Sequence, residues 1–198
     1  MTVLRLRSRA MLRRTLLLTA FAALSVAPAA RAQTLSELTR TPESTADAFL
    51  RSVRAIRWEP TGRLLHPQTS DRFRTLVSMI AQADTTGEAR RYLTGTDAAG
   101  FSALGDAEVF ARAIGAMIDD MPGLMHALYD RDDEVVGHVA EGTDSAHVVY
   151  RTLARIGGAV PEVKIMQLAR ADDGWRILWS DELGVLDAAL RGVRTGRR

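Results

Sequence analysis

A change in the period of the apolar residues, close to Asp132, constrains the fold of this chain more than any other feature. Before that point apolar residues recur every three or four positions, as in Val109, Phe110 and Ala113, which is the spacing of a buried helical face. After it they alternate at every second position, which is the spacing of a β-strand. Because the helices precede consecutive strands, the sequence predicts an α+β fold whose amino-terminal helices pack on a curved antiparallel sheet of about four strands.

Two hairpins account for the predicted sheet. Each consists of two alternating segments joined by a short stretch rich in glycine and aspartate, which favours a turn. The four segments are Val135–Glu141 and Ala146–Leu153, then Glu162–Arg170 and Trp175–Asp181. In the last segment Trp175, Ile177 and Trp179 fall on one face.

Helical spacing and capping residues predict the remaining elements. The predicted helices are Thr41–Trp58, Ser70–Ala83, a helix that starts at Asp106, its kinked partner Met121–Tyr129 and a short closing helix Glu182–Val193. The first should end near Trp58 because Glu59 precedes a proline and is disfavoured in helical geometry. Residues 84–105, rich in glycine and threonine, predict a loop with one helical turn at most.

The first 32 residues have the three parts of a secretory signal peptide. They contain six arginines and no acid, an apolar run of 13 residues (Thr15–Ala27), and small residues ahead of Gln33. A run of this length is shorter than the roughly 20 residues that span a bilayer. The segment therefore predicts export and cleavage near Ala32, with no stable membrane anchor afterwards. Arg13 and Arg14 leave the twin-arginine and the general export routes both open.

Removal of this segment reverses the sign of the net charge. The whole chain carries a formal charge of +2, whereas residues 33–198 hold 20 basic and 24 acidic side chains, a formal charge of −4. An acidic chain without a basic run argues against a nucleic-acid partner.

The chain has no cysteine, which excludes disulfides, thiolate metal sites and a cysteine nucleophile. The predicted organisation is a signal peptide (1–32), a flexible lead-in (33–41), one α+β domain (42–193) and a disordered tail (194–198).

Three short stretches resemble the nuclear transport factor 2-like superfamily, which includes SnoaL-like and cystatin-like α+β proteins. They are Thr45–Val53 (TADAFLRSV), Leu64–Pro67 (LLHP) and Asp172–Ser180 (DDGWRILWS). The resemblance covers about residues 42–182 and implies that helices and a curled sheet enclose an apolar pocket lined by a few polar groups. It also implies relatives among exported bacterial proteins, isomerases and cyclases.

Three polar residues of the first hairpin are candidates for acid–base chemistry or ligand binding. If the hairpin turns symmetrically about residues 142–145, His138 lies opposite Val149, and His138, His147 and Arg151 share one face. Two histidines on one face can hold a metal or supply a general base near neutral pH. A metal needs a further ligand that the sequence does not place there, so neither a metal nor another cofactor is predicted. Both histidines can equally be surface or helix-contact residues.

Further candidates lie elsewhere in the chain. Asp181, at the end of the last strand, can act as a base at a pocket mouth, whereas the adjacent Glu182 suits the first turn of a helix. The predicted ligand-binding residues are Trp58, His66, Arg151 and Trp179. Arg151 can bind an anion through its planar fork or pair with a nearby acid. The tryptophans can form the floor of a pocket or part of the core, and His66 can contact a ligand or belong to a turn.

Three functions fit this sequence. The leading hypothesis is an exported, periplasmic or secreted, non-enzymatic domain that binds a small apolar ligand or a protein partner in a pocket between the helices and the sheet. The first alternative is a small enzyme of the isomerase or cyclase type, with one carboxylate or histidine (His138, His147 or Asp181) as proton shuttle. The second alternative is a structural envelope protein that forms a homodimer through its sheet.

Overall fold

The computed structural model of the chain describes residues 34–120, 130–155 and 160–179, all of which belong to one unit, Thr34–Arg198. The predicted signal peptide, the segment Met121–Tyr129 and the closing helix Glu182–Val193 lie outside the described residues. The helices are α1 (Leu35–Leu38), α2 (Pro42–Arg54), α3 (Trp58–Arg63), α4 (Pro67–Ala83), α5 (Glu88–Thr94), α6 (Ala98–Ala103) and α7 (Asp106–Asp119).

Four strands follow the helices and form one antiparallel sheet. They are β1 (Arg131–Glu141), β2 (Ser145–Ala154), β3 (Glu162–Ala171) and β4 (Gly174–Ile177). Each strand pairs with the next in the chain, so their order in the sheet is β1-β2-β3-β4, which is the order that two consecutive hairpins produce. The predicted fold class, helices followed by a four-stranded antiparallel sheet, is confirmed.

The first predicted helix is divided in two. Ile56 adopts the left-handed conformation, with φ of 54°, and the amide of Arg57 then donates to the carbonyl oxygen of Ser52 at 2.9 Å. This is the hydrogen bond of a Schellman motif, which ends a helix. A separate helix, α3, begins at Trp58. The prediction that Pro60 stops a helix is wrong. Pro60 lies in the first turn of α3, where backbone N–H groups have no hydrogen-bond partner within the helix, so the helix loses no hydrogen bond through the missing N–H of proline.

Residues 84–105, predicted as a loop, contain two helices. Gly87 and Gly95 adopt left-handed backbone conformations at the two ends of α5, and Asp97 caps α6 by accepting a hydrogen bond from the amide of Gly100 at 2.8 Å. The loop prediction is wrong because these glycines flank a helix instead of interrupting one. Leu93 of α5 is fully buried, so packing against the neighbouring helices stabilises a segment with weak periodicity.

The helices and the inner face of the sheet share one hydrophobic core. The rings of Phe73 in α4 and Phe110 in α7 lie 5.0 Å apart between centroids. The buried side chains that the sheet contributes are Ala146, Val148, Tyr150, Met166, Leu168, Trp175 and Ile177. Complete burial of one such aliphatic side chain is worth about 1.5–3 kcal/mol, so the contact between helices and sheet is a major source of stability.

Two segments from the helical half close the edge of the sheet beside β4. The amide of Ile177 donates to the carbonyl oxygen of Leu64 at 2.9 Å, and the amide of His66 donates to the carbonyl oxygen of Ile177 at 2.8 Å. The amide of Trp175 donates to the carbonyl oxygen of Thr39 at 2.8 Å. The predicted flexible lead-in therefore contains a helical turn, α1, and a buried residue, Thr39, that belongs to the sheet edge.

Gly174 is expected to be required for this edge. A Cβ at Gly174 would lie 2.6 Å from the carbonyl oxygen of Thr39, whereas a Cβ at Gly142 would meet no atom within 4 Å. Both glycines have positive φ, 70° at Gly142 and 128° at Gly174, so each substitution also strains the backbone, by about 1–2 kcal/mol at the left-handed Gly142 and by more at Gly174. We expect Gly174→Ala to lower the free energy of unfolding by about 2 kcal/mol more than Gly142→Ala, as measured by urea denaturation. Equal losses in the two variants would contradict a steric role for Thr39.

Candidate functional site

The hairpin of β1 and β2 has a shorter loop than the sequence suggested. Glu141 pairs with Ser145, so the loop has three residues, and His138 lies opposite Val148 instead of Val149. Because neighbouring residues of a strand point to opposite faces, a shift of one residue in the pairing moves a side chain to the other face. The prediction that His138, His147 and Arg151 share one face is therefore wrong: His138 faces the helices, and the other two face away from them.

His138 contacts a carboxylate that the sequence analysis did not identify. Its Nδ1 hydrogen-bonds to Oε1 of Glu43, in the first turn of α2, and the side chains of His138 and Glu43 are 33% and 37% exposed. When Nδ1 carries the ring proton, it donates a hydrogen bond to the carboxylate, and Nε2 remains a hydrogen-bond acceptor. An imidazole held in this way can accept a proton from a molecule at the surface. Ninety-five residues separate the two partners, so no local pattern signals the pair.

Contact with His138 changes the acidity of Glu43. Partial burial by itself raises the pKa of the Glu43 carboxyl group, but hydrogen bonds from His138 and from the backbone of Glu43, together with the charge of a protonated His138, outweigh that effect. The net result is a pKa below the ordinary value of 4.5. The ionised carboxylate is thus the favoured form in the folded protein.

His147 and Arg151 lie on the outer face of the sheet, which we define as the face turned away from the helices. Nε2 of His147 is 2.8 Å from Oε2 of Glu141, and Nη2 of Arg151 donates to Oε2 of Glu134 at 2.8 Å. Of the two roles that the sequence left open for Arg151, the structure shows the pairing with an acid. Both bases are therefore bound to carboxylates of the neighbouring strand.

The predicted ligand-binding residues outside the hairpin lie in separate parts of the fold. His66 caps α4, because its Nδ1 accepts a hydrogen bond from the amide of Gln68 at 3.2 Å. Trp58 and Trp179 are partly buried and pack against the core, and the guanidinium of Arg72 lies 4.6 Å from the ring centroid of Trp179. Asp181 lies outside the described residues.

A buried ion pair lies at the opposite end of β1 from the loop. The side chain of Asp133 is 3% exposed, and its Oδ2 lies 3.1 Å from Nε of Arg131. Its other oxygen, Oδ1, accepts a hydrogen bond from Oγ1 of Thr152 at 2.7 Å. These three residues face the helical side. Nε of Arg131 and Oδ2 of Asp133 are buried and form no hydrogen bond, so the attraction between them is one of charge alone.

The outer face carries a group of exposed aliphatic side chains, which we call the outer aliphatic patch. Five of its members are between 41% and 63% exposed, and the sixth, Val149, is half-buried and lies among them on β2. Alternation in β1 and β3 is the sequence signal for these residues, but it does not show which face the helices cover. The members are Val136, Val139, Val149, Leu153, Val163 and Ile165.

Two other kinds of site are not found among the described residues. No group of three or more histidine, aspartate or glutamate side chains in this part of the chain is arranged to hold a metal ion. Likewise, none of its helices combines the length and the apolar character that a bilayer-spanning segment needs. Within these residues the outer aliphatic patch and the Glu43–His138 pair are the two features that invite a functional interpretation.

Comparison with known proteins gave no relative: no protein family, no curated protein and no solved structure matches this chain.

The Glu43–His138 contact predicts a specific pH dependence. Because the pKa of Glu43 is lower in the folded than in the unfolded chain, its contribution to stability is present above the ordinary pKa and disappears as the pH falls through the folded value. Glu43→Gln should therefore lose less free energy of unfolding than the wild type between about pH 5 and pH 3, measured by urea denaturation at each pH. His138→Ala should have the same effect, because it removes the hydrogen bond that lowers the pKa. If the free energy of unfolding of both variants fell with pH as steeply as that of the wild type, the Glu43–His138 pair would not be the cause of the pH dependence.

Proposed function

We propose that this chain is an exported protein-interaction domain that binds a partner protein through the outer face of its sheet. The outer aliphatic patch is the observation that carries this proposal. In an antiparallel sheet with one covered face, the other face is ordinarily polar. Here that face presents side chains such as Val139, Val163 and Ile165, each about three-fifths exposed. Grouped exposed aliphatic side chains are typical of binding surfaces.

The proposal places the binding surface on the opposite side of the sheet from the pocket that the sequence suggested. On the inner face Val148, Met166 and Leu168 are almost completely buried, because the helices already cover them. No part of the chain that the structure describes covers the exposed aliphatic side chains of the outer face in this way. Burial of one of them by a partner would contribute about 1–2 kcal/mol to binding, given its present exposure.

Sequence features support the export part of the proposal. The amino-terminal segment has a basic end, an apolar run of 13 residues and small residues before Gln33, as secretory signals do. The absence of cysteine means that the domain depends on no disulfide in an oxidising compartment. The partner is thus expected in the periplasm or outside the cell.

The proposal predicts that a probe in the patch captures a protein. A photo-crosslinking amino acid at Val163, introduced in the producing cells, should give an adduct with a second polypeptide. Ile165→Lys, beside the probe, should reduce that adduct about tenfold, because it removes apolar contact and places a charge in the interface. The readout is the mass of the adduct, determined by mass spectrometry.

Met79 provides the matched control for this experiment. It is half exposed but belongs to α4, which packs on the inner side of the sheet, so a probe there should give no specific adduct. If the probe at Val163 gives no more adduct than the probe at Met79, the outer face is not a binding surface. An adduct only with residues 180–198 of the same chain would also contradict the proposal, because the patch would then be covered from within.

A further inference from the structure

We infer that the partner bound by the outer aliphatic patch presents an amphipathic helix with basic residues beside its apolar stripe. The inference rests on the proposed function, because it names the chemistry of the partner at the same surface. Three features of the outer face carry it: the shape of the patch, the direction of the backbone groups in a sheet, and the charge of the residues beside the patch.

Five of the six patch residues form a diagonal band across three strands. They are Val163 and Ile165 on β3, Val149 on β2, and Val136 and Val139 on β1. Val163 pairs with Arg151 and Val139 pairs with His147, so the two ends of the band lie two strands apart and four residues apart along β2. With about 4.8 Å between strands and about 3.4 Å per residue, the band is about 16 Å long. An α-helix covers this length with about 11 residues, or three turns.

The face of a sheet offers a partner no backbone hydrogen bonds. The N–H and C=O groups of the strands lie in the plane of the sheet and point towards the neighbouring strands. A segment that lies on the face must therefore satisfy its own backbone groups. An extended peptide cannot do so, whereas an α-helix forms its hydrogen bonds within itself. Apolar residues at positions i, i+3, i+4 and i+7 of such a helix form one stripe, and helices cover the inner face of the same sheet.

Charged residues limit the band on both sides. Glu134 and Arg151 form an ion pair on one side of it, and Glu141 contacts His147 on the other. A second sheet that packed face to face would need an apolar area several strands wide, and these residues interrupt such an area. A single helix needs only the band itself.

The carboxylates are the more exposed members of both pairs. The side chains of Glu134 and Arg151 are 68% and 50% exposed, and those of Glu141 and His147 are 73% and 34% exposed. His147 is charged only when it is protonated. An ionised carboxylate has about four acceptor positions, so each can bind a further cation. Lysine or arginine residues beside the apolar stripe of the partner helix complement these carboxylates.

Photo-crosslinking from both ends of the band tests the helix. The crosslinking amino acid is introduced at Val163 or at Val139 in the producing cells, and mass spectrometry identifies the labelled residue of the partner. We expect the two probes to label one segment, at residues about ten positions apart on one helical face, with lysine or arginine beside them. An extended segment of the same length would be labelled at residues about five positions apart.

Charge reversal on the outer face tests the basic residues of the partner. Glu134→Lys and Glu141→Lys should each lower the yield of the adduct at Val163 about threefold or more, because like charges then face each other. Glu59→Lys is the matched control, since Glu59 is an exposed member of an ion pair with Arg63 in α3, and it should leave the yield unchanged. Urea denaturation of each variant should show that it remains folded.

Arg151→Gln separates binding from structure. It breaks the same ion pair as Glu134→Lys, but it removes the cation that competes with the partner for Glu134. The adduct should therefore form at least as well as in the wild type. An equal loss of adduct in Arg151→Gln and Glu134→Lys would mean that the ion pair merely holds the strands, and it would overturn the inference.

Three further results would overturn the inference but leave the proposed function intact, because a partner is still bound at the outer face. They are labelled residues about five positions apart or in separate segments, labels in the strands of a second copy of this chain, and a yield that neither glutamate reversal changes. If neither probe gives more adduct than the probe at Met79, the proposed function fails as well.

Discussion

The register in which β1 pairs with β2 determines which side chains face the helices and which face away from them. A loop of three residues sets Glu141 against Ser145, and a bulge after Val135 shifts the register by one residue. Because strands alternate their side chains between two faces, these two features decide what each face contains. A hairpin one residue longer would direct His138 to the outer face and remove it from Glu43.

This register gives the sheet two faces with different uses. The inner face buries Val148, Met166 and Leu168 under the helices and provides much of the stability. The outer face carries the outer aliphatic patch and exposed ion pairs such as Glu134–Arg151, and ion pairs of this kind contribute little to folding.

The candidate site was only partly predictable. For Arg151 the sequence leaves two roles open, anion binding and pairing with an acid, and the identity of the paired acid depends on the register. For His66 it leaves a ligand contact or a place in a turn, and its role as the cap of α4 depends on the position of Gln68. The contact between His138 and Glu43 joins residues 95 positions apart, and local spacing has no information about such a pair. The exposed patch was missed because alternation shows that a strand has two faces but not which one the helices cover.

The fold class and the succession of helices and strands can be predicted from local patterns, because the period of apolar residues and the capping groups act over a few residues. Most of the strands can be predicted in the same way, since glycine and aspartate turns separate alternating segments. The folded chain is needed to establish the register of the hairpin, the division of the first helix at Ile56 and the two helices in residues 84–105. Each of these depends on loop geometry or on packing against residues distant in the chain. The same is true of the outer face: the sequence supplies its valines and its charges, but only the folded sheet aligns them into a surface.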